Sequence, residues 1–122
     1  MNSNKSTQWS QKEGEQLLSS VYKVSLLSII ENYHDQGGIH GYAIGQALYD
    51  YSNGGLSGTN ATYYSILRRL EKENLLYSRI EDSPTGPPRK HYYLTEDGKS
   101  ALNTLWKNWK YYYHLLDDMI TK

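Results

Sequence analysis

Cysteine and phenylalanine are absent from this 122-residue sequence, and proline occurs only three times. Without cysteine, the chain can form no disulfide, use no thiol nucleophile and build no cysteine-ligated zinc site. No apolar run reaches the roughly 18 residues that indicate a membrane-spanning helix. The polar start, MNSNKSTQWSQKEGEQ, lacks the apolar middle of a signal peptide. These absences predict a cytoplasmic protein of one domain that does not contact a membrane.

The sequence also lacks net charge, because 13 Lys and Arg balance 13 Asp and Glu. A basic balance, the usual signature of nucleic-acid binding, is therefore missing. The basic residues are nonetheless clustered, and all four arginines lie between positions 68 and 90. Arginine suits bidentate contact with phosphate and guanine. From charge alone, a nucleic-acid contact and an ordinary solvated surface are equally favoured.

The first half of the chain predicts three helices after a flexible polar arm over residues 1–14. The first helix, from about Glu15 to His34, has a wide apolar face that can contact its own core and another subunit. A glycine-containing loop separates it from a short second helix in YAIGQALYDYS. Thr59 or Asn60 can cap a third helix, ATYYSILRRLEKEN. Two helices joined by a glycine-containing turn are typical of a helix-turn-helix.

The second half predicts a hairpin and one long helix. LLYSRIED and RKHYYLT are expected to be strands joined by SPTGPP, in which Pro87 and Pro88 keep the tip out of the strand ladder. Thr95 can cap a helix running from about Glu96 to Ile120. This helix carries apolar residues at alternating spacings of four and three, as in a coiled-coil seam. Dimerisation and packing in the chain's own core both explain the seam, and dimerisation is favoured. The seam consists of Leu102, Trp106, Trp109, Tyr113, Leu116 and Ile120.

These elements predict a mainly α (α+β) winged helix-turn-helix with a C-terminal dimerisation helix. The DNA-binding domain would span residues 15–95 and the dimerisation helix residues 96–122. In this fold the third helix enters the major groove and the hairpin, or wing, lies along the phosphate backbone. A wing stiffened by prolines loses little entropy when Arg89 and Lys90 are fixed against phosphates.

Three motifs resemble the PadR family of bacterial transcription regulators: IHGYAIGQAL, GTNATYYSILRRLEKENLL and GPPRKHYYLTEDGKSAL. The resemblance extends from residue 15 to about residue 118. The single C-terminal helix resembles the small subfamily of the multidrug regulator LmrR. The sequence departs from the family at Asn74, where glycine is usual, although asparagine also tolerates a left-handed cap.

The resemblance implies a homodimer that represses genes by occupying double-stranded promoter DNA. It also implies a slot at the dimer centre, with Trp109 facing its counterpart and Leu17 and Val24 beside it. Such a slot would hold a planar hydrophobic or cationic effector by stacking and cation–π attraction. An ordinary packing role for Trp109 at the dimer seam remains the alternative.

The candidate DNA-binding residues combine family position with charge. One of the adjacent tyrosines 63 and 64 must be in the core, and Tyr64 is expected nearer the DNA. The full set is Tyr42, Asn60, Thr62, Tyr63, Tyr64, Arg68, Arg89 and Lys90.

Catalytic and metal sites are not indicated. The four histidines are scattered without metal-ligand spacing, and no nucleophile–base pair or phosphate-binding glycine loop is present. The sequence therefore predicts no enzyme and no cofactor. Two alternatives to a regulator remain open: a protein that sequesters small molecules in the aromatic slot, and an architectural or plasmid accessory DNA-binding protein.

Overall fold

The computed structural model describes residues 2–56 and 62–122, and its elements follow the order of a winged helix. The helices are α1 (Asn2–Asn32), α2 (Gly41–Tyr51), α3 (Thr62–Lys72) and α4 (Glu96–Thr121), with a 3-10 turn at His34–Gln36. The strands are β1 (Ile39–His40), β2 (Leu76–Ser83) and β3 (Gly86–Leu94). The predicted mainly α (α+β) winged helix-turn-helix fold is confirmed.

Helix α1 is longer than the sequence predicted. It begins at Asn2 rather than near Glu15, and residues 4–18 are exposed. From Asn2 onward, the segment predicted as a flexible arm therefore continues α1 as an exposed helix. Apolar periodicity could not reveal this extension, because Trp9 is its only large apolar residue before Leu17. The division into arm, DNA-binding domain and dimerisation helix stays a prediction.

The core lies where the C-terminal half of α1 meets α2, α3 and the sheet. Leu26 and Ile30 of α1 are completely buried, as are Ile44 of α2 and Leu67 of α3. Each fully buried aliphatic side chain contributes roughly 1.5–3 kcal/mol to folding. Helix α3 ends at Lys72, and Asn74, two residues later, has a left-handed φ of 65°, which asparagine was expected to tolerate.

The sheet contains a strand that the sequence analysis missed. Its order is β1-β3-β2, all antiparallel, and the two-residue β1 pairs Ile39 with Tyr92 and His40 with His91. So short a strand has no alternation to detect. The register of the β2–β3 hairpin, the wing, is disturbed between Glu81 and Ser83, opposite Pro87 and Pro88. Strand β3 begins at Gly86, so Pro87 and Pro88 lie within the strand and not, as was predicted, in the connecting turn. Because neither proline has an N–H to donate, the ladder is irregular at this point.

Helix α4 is capped at its start and packs against α1. Thr95 Oγ1 accepts a hydrogen bond from the Gly98 backbone N–H at 2.9 Å, which confirms the predicted cap. Leu102 packs against the core of its own chain, and every residue from 110 to 122 is exposed. Of the seam members after Leu102, Trp109 is half-buried and the other four are exposed.

A substitution at Gly98 can test how closely the start of α4 packs against the residue preceding β2. A Cβ at Gly98 would overlap the Leu75 carbonyl oxygen, whereas a Cβ at Gly14 on the exposed part of α1 meets nothing within 4 Å. We expect Gly98→Ala to lower the free energy of unfolding by at least about 2 kcal/mol. The control Gly14→Ala should raise it by about 0.5–1 kcal/mol, because alanine favours helix. Urea unfolding measures the free energy of unfolding of both variants. A Gly98→Ala variant as stable as the wild type would contradict the close packing of α4 at this position.

Candidate functional site

A cleft of about 320 Å³ joins α2, α3 and β3 on one edge of the molecule. It brings together four of the predicted DNA-binding residues, Tyr42, Tyr64, Arg89 and Lys90. Tyr42 is 66% exposed and Tyr64 39% exposed, so both rings can reach a ligand. We call this surface the wing cleft. It is lined by His40, Gly41, Tyr42, Tyr64, Arg89, Lys90 and Tyr92.

The two adjacent tyrosines of α3 have different roles. Tyr63 is 2% exposed, and its hydroxyl donates to the Gly41 carbonyl oxygen at 3.1 Å. The prediction that Tyr63 contacts DNA is therefore wrong, because its side chain joins α3 to α2 inside the protein. Tyr64 lies on the cleft side, as expected. Its ring fits over Gly41, where a Cβ would lie 2.8 Å from the ring.

The remaining predicted residues of α3 lie outside the wing cleft. Thr62 and Arg68 are exposed at the first residue and on the second turn of the helix. Asn60 lies outside the described residues. DNA contact by Thr62 and Arg68 stays a prediction.

Lys90 is held by an acidic residue of α3. Its Nζ lies 2.9 Å from Glu71 Oε1, and Ser78 Oγ donates to Glu71 Oε2 at 2.7 Å. Burial raises the pKa of Glu71, but the hydrogen bonds from Lys90 and Ser78 and the charge of Lys90 outweigh burial and hold the pKa below its usual value. The hydrogen bond to Glu71 in turn raises the pKa of Lys90. Glu71, which the sequence analysis did not single out, thus ties α3 to both wing strands.

Arg89 contacts the end of β1 and not α3. Its Nη1 lies 2.9 Å from His40 Nε2, and the His40 and His91 ring centroids are 5.6 Å apart. His91 Nδ1 lies 2.9 Å from the Gly37 carbonyl oxygen, to which it can only donate. Burial lowers the pKa of His40, and the charges of Arg89 and His91 lower it further. The sequence analysis assigned no role to either histidine, although the His-Gly-Tyr motif marked the start of α2.

The base of the wing is stiffened by stacked rings. The Tyr77 and Tyr93 ring centroids are 5.1 Å apart, with an angle of 13° between the planes, and Arg79 Cζ lies 5.5 Å from each centroid. Tyr93 also donates its hydroxyl hydrogen toward the Gly37 carbonyl oxygen and Glu81 Oε1, at 2.9 and 3.1 Å. Arg79 is thereby engaged with aromatic rings, which distinguishes it from Arg89.

A second concave surface lies between α1 and α4. This groove has a volume of about 550 Å³, and its walls are apolar and aromatic apart from Asn108. It brings together Leu17 and Trp109, two of the three predicted ligand-slot residues, whereas Val24 is half-buried and does not line it. The sequence analysis missed Leu105, Asn108 and Tyr112, which lie on the stripe beside the predicted seam. The lining consists of Leu17, Leu105, Asn108, Trp109, Tyr112, Tyr113 and Leu116.

The predicted dimer seam is largely uncovered in one chain. Trp106, Tyr113, Leu116 and Ile120 are between 51% and 80% exposed. Monomeric proteins rarely leave so continuous an apolar surface in water.

No helix within residues 2–56 and 62–122 is long and apolar enough to cross a bilayer. Over the same ranges, no three His, Asp or Glu side chains form a group that could hold a metal ion.

Comparison with known proteins identifies the family. The model of the transcriptional regulator PadR-like family matches residues 26–104. This chain belongs to the PadR-like family. The PadR-like chain is also 30% identical over 99 residues to an uncharacterized protein from Lysinibacillus sphaericus, a match covering 81% of this chain and 91% of the relative.

Solved structures agree with this assignment. A PadR-like transcriptional regulator from Bacillus cereus is 25% identical, with a TM-score of 0.72 over 88% of this chain and 98% of its own. Bacillus subtilis PadR, solved in complex with operator DNA, is 25% identical, with a TM-score of 0.58 over 69% of this chain and 44% of its own. The PadR-like chain is therefore a DNA-binding transcriptional regulator and not an enzyme. Its place in the LmrR subfamily stays a prediction.

The Glu71–Lys90 pair makes stability depend on pH. The pKa of folded Glu71 lies below its unfolded value of about 4.3, so its contribution is present above that pH and is lost as the pH falls through the folded pKa. We expect Glu71→Gln to lower the free energy of unfolding by about 0.5–1 kcal/mol at pH 7, since the pair is partly exposed. The difference from the wild type should shrink below about pH 4. Urea unfolding at pH 7 and pH 3 measures it, and an unchanged difference at pH 3 would contradict the ionic tie.

Proposed function

We propose that this PadR-like protein is a homodimeric, sequence-specific repressor that occupies promoter DNA in the cytoplasm. The observation that carries the proposal is the wing cleft, in which Tyr42, Tyr64 and Arg89 from α2, α3 and β3 are exposed together. Tyrosine hydroxyls and a guanidinium are donors for phosphate oxygens, and such contacts position a protein on a duplex. The operator complex of Bacillus subtilis PadR supports the same use of the fold.

The dimer is proposed from α4. Its exposed residues beyond Leu102 continue the spacing of a coiled-coil seam, and the groove beside Trp109 is open to solvent. A second copy packed on this face would bury the seam and close the groove. The two α3 helices, which are the recognition helices expected to enter the major groove, then face the same side of the DNA. This symmetry predicts half-sites separated by about one helical turn or a multiple of it.

Titration of the protein with its own upstream duplex tests the proposal directly. A scrambled duplex of the same length serves as the reference, and both are measured at two salt concentrations. Tight binding confined to the upstream duplex is expected from a site-specific repressor. Equal, weak and salt-sensitive binding to both would instead identify an architectural DNA-binding protein.

Arg89 and Lys90 are neighbours in sequence, but we expect them to contribute differently to DNA affinity. Arg89→Ala should weaken DNA binding about tenfold and reduce the slope of log K against log salt by about one for each protomer bound. Lys90→Ala should have a smaller effect on DNA binding, because its ammonium group is engaged by Glu71. Fluorescence anisotropy with labelled duplex at several salt concentrations compares them.

Two results would contradict this distinction. Equal losses would mean that Lys90 exchanges Glu71 for a phosphate on binding. Unchanged binding by Arg89→Ala would mean that the wing does not reach the DNA backbone.

A planar effector is the second part of the proposal, and the groove around Leu17 and Trp109 favours it. Its aromatic walls suit a flat hydrophobic or cationic molecule. If binding alters the arrangement of the two α4 helices, it weakens DNA binding by linkage, typically by about 1–3 kcal/mol. A protein that only sequesters such molecules would bind them without any effect on DNA.

Trp109 should be required for the effector. We expect a planar cationic dye to quench tryptophan fluorescence of the wild type, and Trp109→Ala to weaken dye binding at least about tenfold through loss of stacking. Trp106→Ala is the matched control, since Trp106 lies one turn earlier outside the groove. Sedimentation equilibrium checks that both variants remain dimers. Equal dye affinity in the two variants would exclude Trp109 as the stacking residue.

A further inference from the structure

His40 connects the start of α2 with the wing. Its Nδ1 accepts a hydrogen bond from the Ala43 backbone N–H at 3.3 Å and so caps the N-terminus of α2. Its Nε2 lies 2.9 Å from Arg89 Nη1. Both ring nitrogens thus face a group that can only donate.

A neutral imidazole cannot satisfy both neighbours. It carries one N–H donor and one acceptor nitrogen, whereas guanidinium and backbone N–H groups offer no acceptor. If Nδ1 accepts from Ala43, Nε2 carries the hydrogen and points it at Arg89. The other tautomer satisfies Arg89 but turns an N–H toward Ala43 and removes the cap from α2. Protonation would worsen the conflict, and the lowered pKa of His40 shows that its surroundings disfavour the charged form.

The cap selects the tautomer. A helix capped by a side-chain acceptor gains about 1 kcal/mol relative to an uncapped one. An exposed arginine, in contrast, can take its hydrogen bonds from water at little cost. While the cap is kept, Nε2 carries the hydrogen, and two donors converge beside the wing cleft.

The converging donors require an anion. Among the described residues, ion pairs join Lys90 to Glu71 and Lys99 to Glu96, and Arg89 is in neither. Glu81 is opposite Arg89 in the hairpin, but its carboxylate accepts from Tyr93. The exposed Tyr42 and Tyr64 line the same cleft.

We infer that His40 is a phosphate-binding residue, and that one phosphodiester oxygen of the DNA accepts hydrogen bonds from His40 Nε2 and from the Arg89 guanidinium together. The inference rests on the proposed DNA binding and names the contact that orients the start of α2 on the backbone. In this arrangement one imidazole caps the helix with one nitrogen and binds the duplex with the other.

Two substitutions separate these roles. Asparagine places its oxygen near the Nδ1 position and is a good N-cap, but it has no group at the Nε2 position. Glutamine places an amide donor near the Nε2 position and caps poorly. His40→Asn should therefore keep the melting temperature within about 2 °C while weakening duplex binding about tenfold per protomer. His40→Gln should lower the melting temperature by about 4 °C or more while keeping duplex affinity within about threefold.

The tautomer can be observed directly. Nitrogen-15 NMR of the imidazole in the free wild-type protein should show hydrogen on Nε2 and a lone pair on Nδ1. On addition of the upstream duplex, the Nε2 signal should shift while the tautomer is retained. Hydrogen on Nδ1 in the free protein would overturn the inference.

The outcomes distinguish this inference from the function on which it rests. If the wild type binds the upstream duplex and His40→Asn binds it equally well, His40 is only a helix cap and the inference fails alone. If the wild type binds no duplex, the proposed function fails and the phosphate contact with it. Opposite effects of the two variants on stability and affinity would support the inference.

Discussion

Burial of the apolar face of α1 is the interaction on which the other elements depend. Leu26, Leu27 and Ile30 are at most 2% exposed, and the helix packs against α2, α3, α4 and β3. The C-terminal half of α1 thus supports the wing cleft, while Leu17 in its N-terminal half lines the groove. One continuous helix joins the two surfaces, so a tilt of α1 against α4 would move both.

A neutral chain can still present a free cation, because Lys90 is paired with Glu71 whereas Arg89 is in no ion pair within residues 2–56 and 62–122. Glu71 of α3 accepts hydrogen bonds from Lys90 and Ser78, while Arg89 lies beside His40. Glu71, which offsets the charge of Lys90, thereby also ties α3 to the wing. Arg89 is therefore the wing cation that remains available to a phosphate.

Periodicity and capping predicted most of the helices and the hairpin, because those signals are local. The start of α1 escaped prediction, since a polar helix extended from a buried one carries no apolar pattern. Neither the two-residue β1 nor the choice between Tyr63 and Tyr64 could be read from spacing, because both depend on what α2 and β3 place opposite them. The roles of Glu71 and His40 are likewise set by partners distant in sequence, Lys90 and Arg89.

In the proposed dimer, the exposed length of α4 would link dimer geometry to regulation. In one chain the groove has α4 with Trp109 on one wall and only Leu17 of α1 on the other, and the rest is open to solvent. A second α4 packed on this face would close the groove around a planar molecule. The same pair of helices would set the distance between the two recognition helices, and that distance must match the half-site spacing. A ligand weakens DNA binding only if it prefers an arrangement of the helices that the duplex does not. Regulation through this groove therefore requires two packings of α4 on α4 that differ little in free energy.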